Sequence, residues 1–277
     1  MSDSILNNTL EELENSISPK FRAKQIYNWL YVKRVNSFEQ MKNLPLAMRE
    51  ELEAKYTIHR SAIVSKQESS DGSIKYLFKL HDGHTIETVL LMMRDTQYNE
   101  DGSVKHLPKY TVCVSSQVGC KVGCSFCLTA KGGFIRDLDA GEIVEQIVQI
   151  YNDNKIESNR RVNIVYMGMG EPLDNLSNLA KAISIFSVKD GLAISPQRQT
   201  VSTSGLSSKI DKLAKMDLGI NLAISLHAVD DELRQELMPI NKAYNIASIL
   251  DAVRRFPVNL RKKVMFEYLI IKDINDD

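Results

Sequence analysis

The sequence predicts an α/β protein: a partial parallel (β/α) barrel carrying an N-terminal helical accessory domain and a small β meander. Three observations lead there. The hydrophobic period changes from helical to alternating near residue 61. From residue 109 onward, short apolar strands alternate with amphipathic helices. Four cysteines, Cys113, Cys120, Cys124 and Cys127, crowd into fifteen residues at the first of those strands.

Residues 1–60 read as the helical domain. Thr9 and Glu12 have capping-box spacing. Ser18 and Pro19 suggest an N-cap followed by proline at the first helical position. Ala23, Ile26, Tyr27 and Leu30 then form one apolar face. Ser37 and Gln40 could cap a further turn, and Leu44-Pro45 opens a helix through Lys55. Residues 61–105 are the meander or linker. Ile74, Tyr76, Phe78 and Leu80 alternate as a half-buried strand does, between the turn signals Asp71-Gly72 and Asp82-Gly83. The polar stretch 95–109, with its Asp101-Gly102 turn, reads as a loop.

Residues 106–277 form the core. Strands are expected at 109–115, 162–167, 199–202, 221–226 and 264–271, with helices at 142–151, 176–186, 209–215, 231–237 and 246–256 between them. Five strands in this order suit an open barrel with right-handed crossovers. Ligands in such sheets bind beyond the carboxyl ends of the strands. No covering helix follows the last strand, so the sequence is expected to be truncated on its C-terminal side.

Apolar content of 43% and charged content of 25% are those of a globular protein. No apolar run approaches the ~20 residues of a membrane helix. The N-terminus is acidic where a signal peptide would be basic, so a cytoplasmic protein without membrane partners is expected. Clustered cysteines in such a protein argue for metal or redox chemistry over a disulfide framework.

Cys120-Lys-Val-Gly-Cys124-Ser-Phe-Cys127 is a C-x3-C-x2-C arrangement on a loop after a strand. Three thiolates this close can ligate three irons of a cubane cluster, leaving an iron open for substrate. The rival is a closed zinc site, which wants a fourth ligand. Cys113 could supply one, but no second Cys or His knuckle exists, and His106 lies in the expected loop. Three further segments end strands: Met167-Gly168-Met169-Gly170-Glu171-Pro172, Val201-Ser202-Thr203-Ser204-Gly205 and Ser225-Leu226-His227-Ala228. Each alone could be an ordinary turn, helix cap or structural histidine. Converging on one rim, they indicate a site.

The cysteine spacing matches the radical S-adenosylmethionine (radical-SAM) superfamily. Taken together, SSQVGCKVGCSFC, the GF-I-R segment at 133–136, YMGMGEPL, VSTSG, AISLHA and PINKAYNI resemble its dual-specificity RNA adenine C2-methyltransferases, over nearly the whole chain. The resemblance implies a barrel of the radical-SAM type and one 4Fe-4S cluster on Cys120, Cys124 and Cys127. It implies S-adenosyl-L-methionine, two per turnover, contacted by Gly170, Glu171, Ser202, Ser225, Leu226 and His227. Cys113 matches a catalytic cysteine of the family, and Glu87 a glutamate treated there as proton acceptor; otherwise Glu87 is an exposed strand carboxylate. The implied substrates are carbon 2 of one adenine in large-subunit (23S) rRNA and of an adenine beside the anticodon in tRNA. A monomer served by an external electron donor such as a flavodoxin system is expected.

Carbon 2 of adenine is electron-poor, so direct transfer from a sulfonium fails. The family route passes through a methylated cysteine, a radical generated on its methyl group, a protein–RNA crosslink, and release by disulfide formation. That needs two cysteines beyond the cluster ligands, and this sequence has only Cys113. The methyl-carrying cysteine is expected downstream, and the chain as given is expected not to complete methylation. A related adenine C8-methyltransferase shares nearly every motif, and a non-catalytic zinc or RNA-binding module is the reading from another class.

Two stretches are basic without acids. Residues 15–38 hold Lys20, Arg22, Lys24, Lys33 and Arg34, interleaved with Tyr27, Trp29 and Tyr31. Residues 252–266 hold Arg254, Arg255, Arg261, Lys262 and Lys263. Phosphate contact and base stacking by the first stretch are expected, against the plainer reading of a solvated helix with core-facing aromatics.

Overall fold

The computed structural model describes residues 3–157, 160, 162–258 and 264–276. Its centre is an eight-stranded mixed sheet. In chain order the strands are β1 (Ala62–Glu68), β2 (Ile74–Lys79), β3 (Thr85–Arg94), β4 (Lys109–Cys113), β5 (Asn163–Tyr166), β6 (Gln199–Thr203), β7 (Asn221–Ser225) and β8 (Met265–Glu267). Each lies beside its neighbour in sequence, from β1 at one edge to β8 at the other. The strands β4 to β8 are parallel, which is the expected partial barrel. The meander β1–β3 is antiparallel and joins the same sheet, with Val89 paired to Cys113.

Helices α1 (Leu10–Ser16), α2 (Phe21–Tyr27) and α3 (Leu46–Lys55) form the N-terminal unit. The Thr9–Glu12 capping box is made in both directions, and so is the one at Ser37 and Gln40. The expected start at Ser18-Pro19 is displaced: α2 begins at Phe21 with Lys20 at its N-cap. Arg60 ties this unit to the core, donating to the Leu30 and Val35 carbonyls and to the buried Glu145 at 2.6 Å.

Two further expectations are corrected. Residues 95–109 are not simply a loop. Gln97–Tyr98 and Val104–His106 pair as a hairpin around Asp101-Gly102, where Gly102 takes the positive φ the turn needs. The stacking surface in residues 15–38 is mostly absent as well. Tyr27 and Tyr31 are fully buried, and Trp29 is half-buried with its indole N–H on Asn43. Apolar spacing along α2 and the turn after it sends Tyr27 and Tyr31 into the core, leaving Phe21, Lys20, Lys24 and Lys33 outside. In the second basic stretch, Arg254 pairs with Asp251 and Arg255 with Asp211. Arg261, Lys262 and Lys263 lie outside the described residues.

Helices α4 (Ala140–Asp153), α5 (Leu176–Ser187), α6 (Ser207–Met216), α7 (Asp231–Leu237) and α8 (Ile246–Arg255) supply the crossovers. The α4 helix is buried almost all round, with Ile143, Ile147 and Ile150 in the core. Because β4–β8 run parallel, every loop that follows them opens on one rim. Among the described residues, no helix is long and apolar enough to cross a membrane.

Candidate active site

A cavity sits at that rim. Cys120, Cys124 and Cys127 line it together with Gly168, Gly170 and Glu171 from the loop after β5. Ser202, Ser225, His227 and Glu267 line it from the ends of β6, β7 and β8.

The cysteine loop is held at both ends. After β4 the chain forms a ribbon in which Gln117–Gly119 pairs with Phe134–Asp137. Gly119 has φ +78°, and a Cβ there would lie 1.9 Å from the Gly133 carbonyl oxygen. Only glycine permits that approach, and the Cys120 amide then donates to Gly133 at 2.9 Å. At the other end Ser125 donates its amide to the Leu237 carbonyl at the end of α7.

The Met167–Glu171 loop is clasped to this segment. A Cβ on Gly168 would meet Ser115, and one on Gly170 would meet Gln117 at 2.6 Å. The Ser116 and Gln117 amides donate to the Met169 carbonyl, and the Glu171 amide donates to Gln117. The buried Gln146 on α4 fixes Ser115 by accepting from its amide and donating to its carbonyl. Glu171 is 2% exposed. One carboxylate oxygen accepts from the Leu173 amide, the other from the amide and hydroxyl of Ser204. Burial raises its pKa, and these hydrogen bonds oppose the shift.

Ser202 and Ser225 both donate to one oxygen of Glu267, at 2.8 and 2.9 Å. His227 has φ +59° and lies edge-on to Phe126 of the cysteine loop, ring centres 5.0 Å apart. Its Nδ1 accepts from the Leu269 amide at 3.0 Å, which puts the proton of the neutral ring on Nε2. Burial, with the charge of Arg234 adding, lowers its pKa, and Glu267 opposes.

Three of the expected residues do not line the cavity. Leu226 spends its amide on the Glu267 carbonyl and its own carbonyl on Arg234. Cys113 ends β4, half-buried, and accepts from the Met167 amide; burial pushes its thiol up to about 11. Glu87 lies on β3 and pairs with Lys75 at 3.1 Å. Its amide donates to the Met169 sulfur and its carbonyl accepts from the Ser115 hydroxyl. The antiparallel course of β3 therefore brings Glu87 to the same rim.

Sequence reasoning missed Glu267 and Arg234. Glu267 lay inside an apolar strand, and only the Ser202 and Ser225 contacts reveal it. Arg234 is wholly buried and donates to Ser204, Ser225, Leu226, Tyr244 and Asn241. Its helix, DELRQEL, is charge-rich, and nothing in its spacing marks Arg234 as the buried one. The PINKAYNI segment supplies two of its acceptors.

The donor set fits an iron–sulfur cluster. Burial and mutual repulsion with Cys120 and Cys127 push Cys124 up to about 12, and burial raises Cys120. Such thiols need cationic metal to persist as thiolates. Among the described residues, no three His, Cys, Asp or Glu side chains are grouped for a single metal ion. A structural zinc site is closed by four ligands, whereas three thiolates can hold a cubane cluster and leave one iron open.

The family model described as the Radical SAM superfamily matches residues 114–277, and that of the ribosomal RNA large subunit methyltransferase N-terminal domain matches residues 5–58. A protein of Sulfurovum sp. named dual-specificity RNA methyltransferase RlmN is 70% identical over 97% of this chain and 75% of its own length. The protein of that name from Aliarcobacter butzleri is 64% identical over 99% of this chain and 76% of its own. The crystal structure of a radical SAM methyltransferase from Sphaerobacter thermophilus superposes with a TM-score of 0.85 at 38% identity, covering 99% of this chain and 78% of that one. A cysteine loop, a Gly-Glu-Pro turn and serine-bearing strand ends on one rim, with matches of this extent, make the chain a member of the radical-SAM dual-specificity RNA methyltransferase family.

Proposed function

We infer that the rim cavity is where this chain holds a 4Fe-4S cluster and S-adenosylmethionine for methylation of adenine carbon 2 in rRNA and tRNA. The observation that carries the reading is the convergence on one cavity of three thiols, a buried glutamate, two serines and a neutral histidine. Cys120, Cys124 and Cys127 are the cluster ligands. Bound there, the cluster and S-adenosylmethionine supply one-electron chemistry and a methyl group, which acid–base residues alone cannot deliver to an electron-poor ring carbon.

The residues of the chain bind and orient. Glu171 offers a desolvated carboxylate to an ammonium group, and Gly168 and Gly170, whose missing Cβ atoms let their turn close on Ser115 and Gln117, hold its backbone at the cavity wall. Ser202, Ser225 and Glu267 form a hydroxyl–carboxylate cluster suited to the ribose. His227 offers an Nε2–H donor. Leu226 acts through its main chain, which sets the register between β7 and β8. Cys113 stays a protonated thiol at neutral pH until a base takes its proton. Glu87, exposed at the rim, serves as proton acceptor.

Residues 1–60 act as an RNA-binding accessory through Lys20, Lys24 and Lys33, residues 61–105 as a connecting meander, and residues 106–277 as the catalytic core. The protein works as a cytoplasmic monomer supplied by an external one-electron donor such as a flavodoxin system. Anaerobic reconstitution tests the central reading. The expected result is a brown protein with cluster absorbance that forms 5′-deoxyadenosine from S-adenosylmethionine. A colourless zinc protein would overturn it. Nucleoside analysis of RNA treated with a chain that also carries the expected downstream cysteine distinguishes 2-methyl- from 8-methyladenosine.

A further inference from the structure

A second cleft lies on the opposite face, at the amino ends of the parallel strands. Lys109, which begins β4, and Arg198, which immediately precedes β6, form part of its wall. Arg94 from the end of β3, Lys105 from the 97–106 hairpin and Arg160 complete a set of five cations facing one acid, Glu157. The whole chain carries equal numbers of basic and acidic residues, so this excess is local.

The five cations are poorly satisfied. Among the described residues none of them pairs with a carboxylate. Among the described residues the Arg198 guanidinium donates only to Asn163, and Arg94 reaches the Leu107 carbonyl at 3.4 Å. The Nη1 of Arg160 is buried and finds no partner among the described residues. Like charges within a Debye length of roughly 8–10 Å repel, and a polyanion relieves that repulsion while releasing its own counterions. Leu107, half exposed, lines the cleft and offers apolar surface to sugar or base.

We propose that this cleft is a second phosphate-binding surface for the folded RNA substrate, separate from the chemistry and resting on the RNA-methyltransferase reading above. The five residues of β4, at about 3.3 Å each, set the two sites roughly 13 Å or more apart on opposite ends of the strands. A short oligonucleotide fills the rim cavity alone. A folded RNA is large enough to follow the protein surface from the rim to this cleft.

The test compares the reconstituted protein with Lys105→Glu/Lys109→Glu. The probes are an unmodified tRNA transcript, a short adenine-containing oligonucleotide and S-adenosylmethionine. A matched variant, Lys212→Glu/Lys215→Glu on exposed positions of α6, controls for net charge. The cleft variant is expected to lose about tenfold in tRNA affinity near 50 mM salt, with the gap narrowing towards about 200 mM. Oligonucleotide and S-adenosylmethionine affinities stay unchanged, which also shows that the variant is folded. Equal tRNA affinity in the cleft variant and the parent overturns the proposal, as does an equal loss in the α6 control. Weakened flavodoxin binding with tRNA affinity intact would assign the cleft to the electron donor and overturn it too. If the parent itself fails to bind tRNA, the RNA reading falls and takes this one with it. If the parent binds and the cleft variant binds equally well, only the cleft is lost.

Discussion

The strand-end rim and the N-terminal helices both presented polar or aromatic residues at suggestive spacing, yet the fold treats them oppositely. At the rim, Glu171, Ser202, Ser204 and His227 are buried and hydrogen-bonded to one another, to the Glu267 carboxylate or to main chain. In the helices, Tyr27 and Tyr31 are core and the charges are left to water. Burying polar groups costs free energy unless they are paired, so a cluster of satisfied buried polar groups opening on a cavity marks function better than spacing does.

The largest expected effect is at the rim. Cys124→Ala should abolish cluster absorbance after reconstitution and reduce 5′-deoxyadenosine to background. An equivalent loss from Tyr27→Phe would erase the distinction between the two regions. Arg234→Met comes next. It strands four carbonyls and Asn241, and should cost about 3 kcal/mol or more in urea denaturation. Exposed Arg254→Ala should leave the transition unmoved.

Glu267→Gln keeps an acceptor for Ser202 and Ser225, so stability should hold while S-adenosylmethionine affinity in equilibrium dialysis falls about tenfold. Unchanged affinity would return Glu267 to a purely structural role. The smallest effects belong to the helices. Tyr27→Phe removes a 2.7 Å bond to the Asn8 carbonyl and should cost about 1 kcal/mol of stability without altering tRNA affinity. Lys20→Glu/Lys24→Glu should do the reverse, weakening tRNA binding severalfold and leaving the melting curve alone.

What could be read from the sequence follows the same division. The barrel and the cysteine loop were legible because alternation of strand and helix forces one direction on every strand, and direction alone gathers the loops. Cys120, Glu171, Ser202 and His227 each ended a recognisable strand. Glu267 was not legible because its partners Ser202 and Ser225 lie far off in the chain, and Arg234 because four of its five acceptors are main-chain carbonyls, which side-chain spacing does not mark. The 97–106 hairpin escaped notice because strands of two and three residues carry too little alternation to register. Tyr27 and Tyr31 could be assigned to the core by period, but the basic residues around them also suited RNA.

The uninterrupted order of the sheet bears on how the protein is made. Every strand from β2 to β8 adds beside the strand synthesised just before it. The sheet can therefore grow outward from the meander as the chain leaves the ribosome, with no strand waiting for a later one to be inserted between. Cys120, Cys124 and Cys127 emerge before Ser202, Ser225 and Glu267, so the far side of the cavity closes over the thiols last.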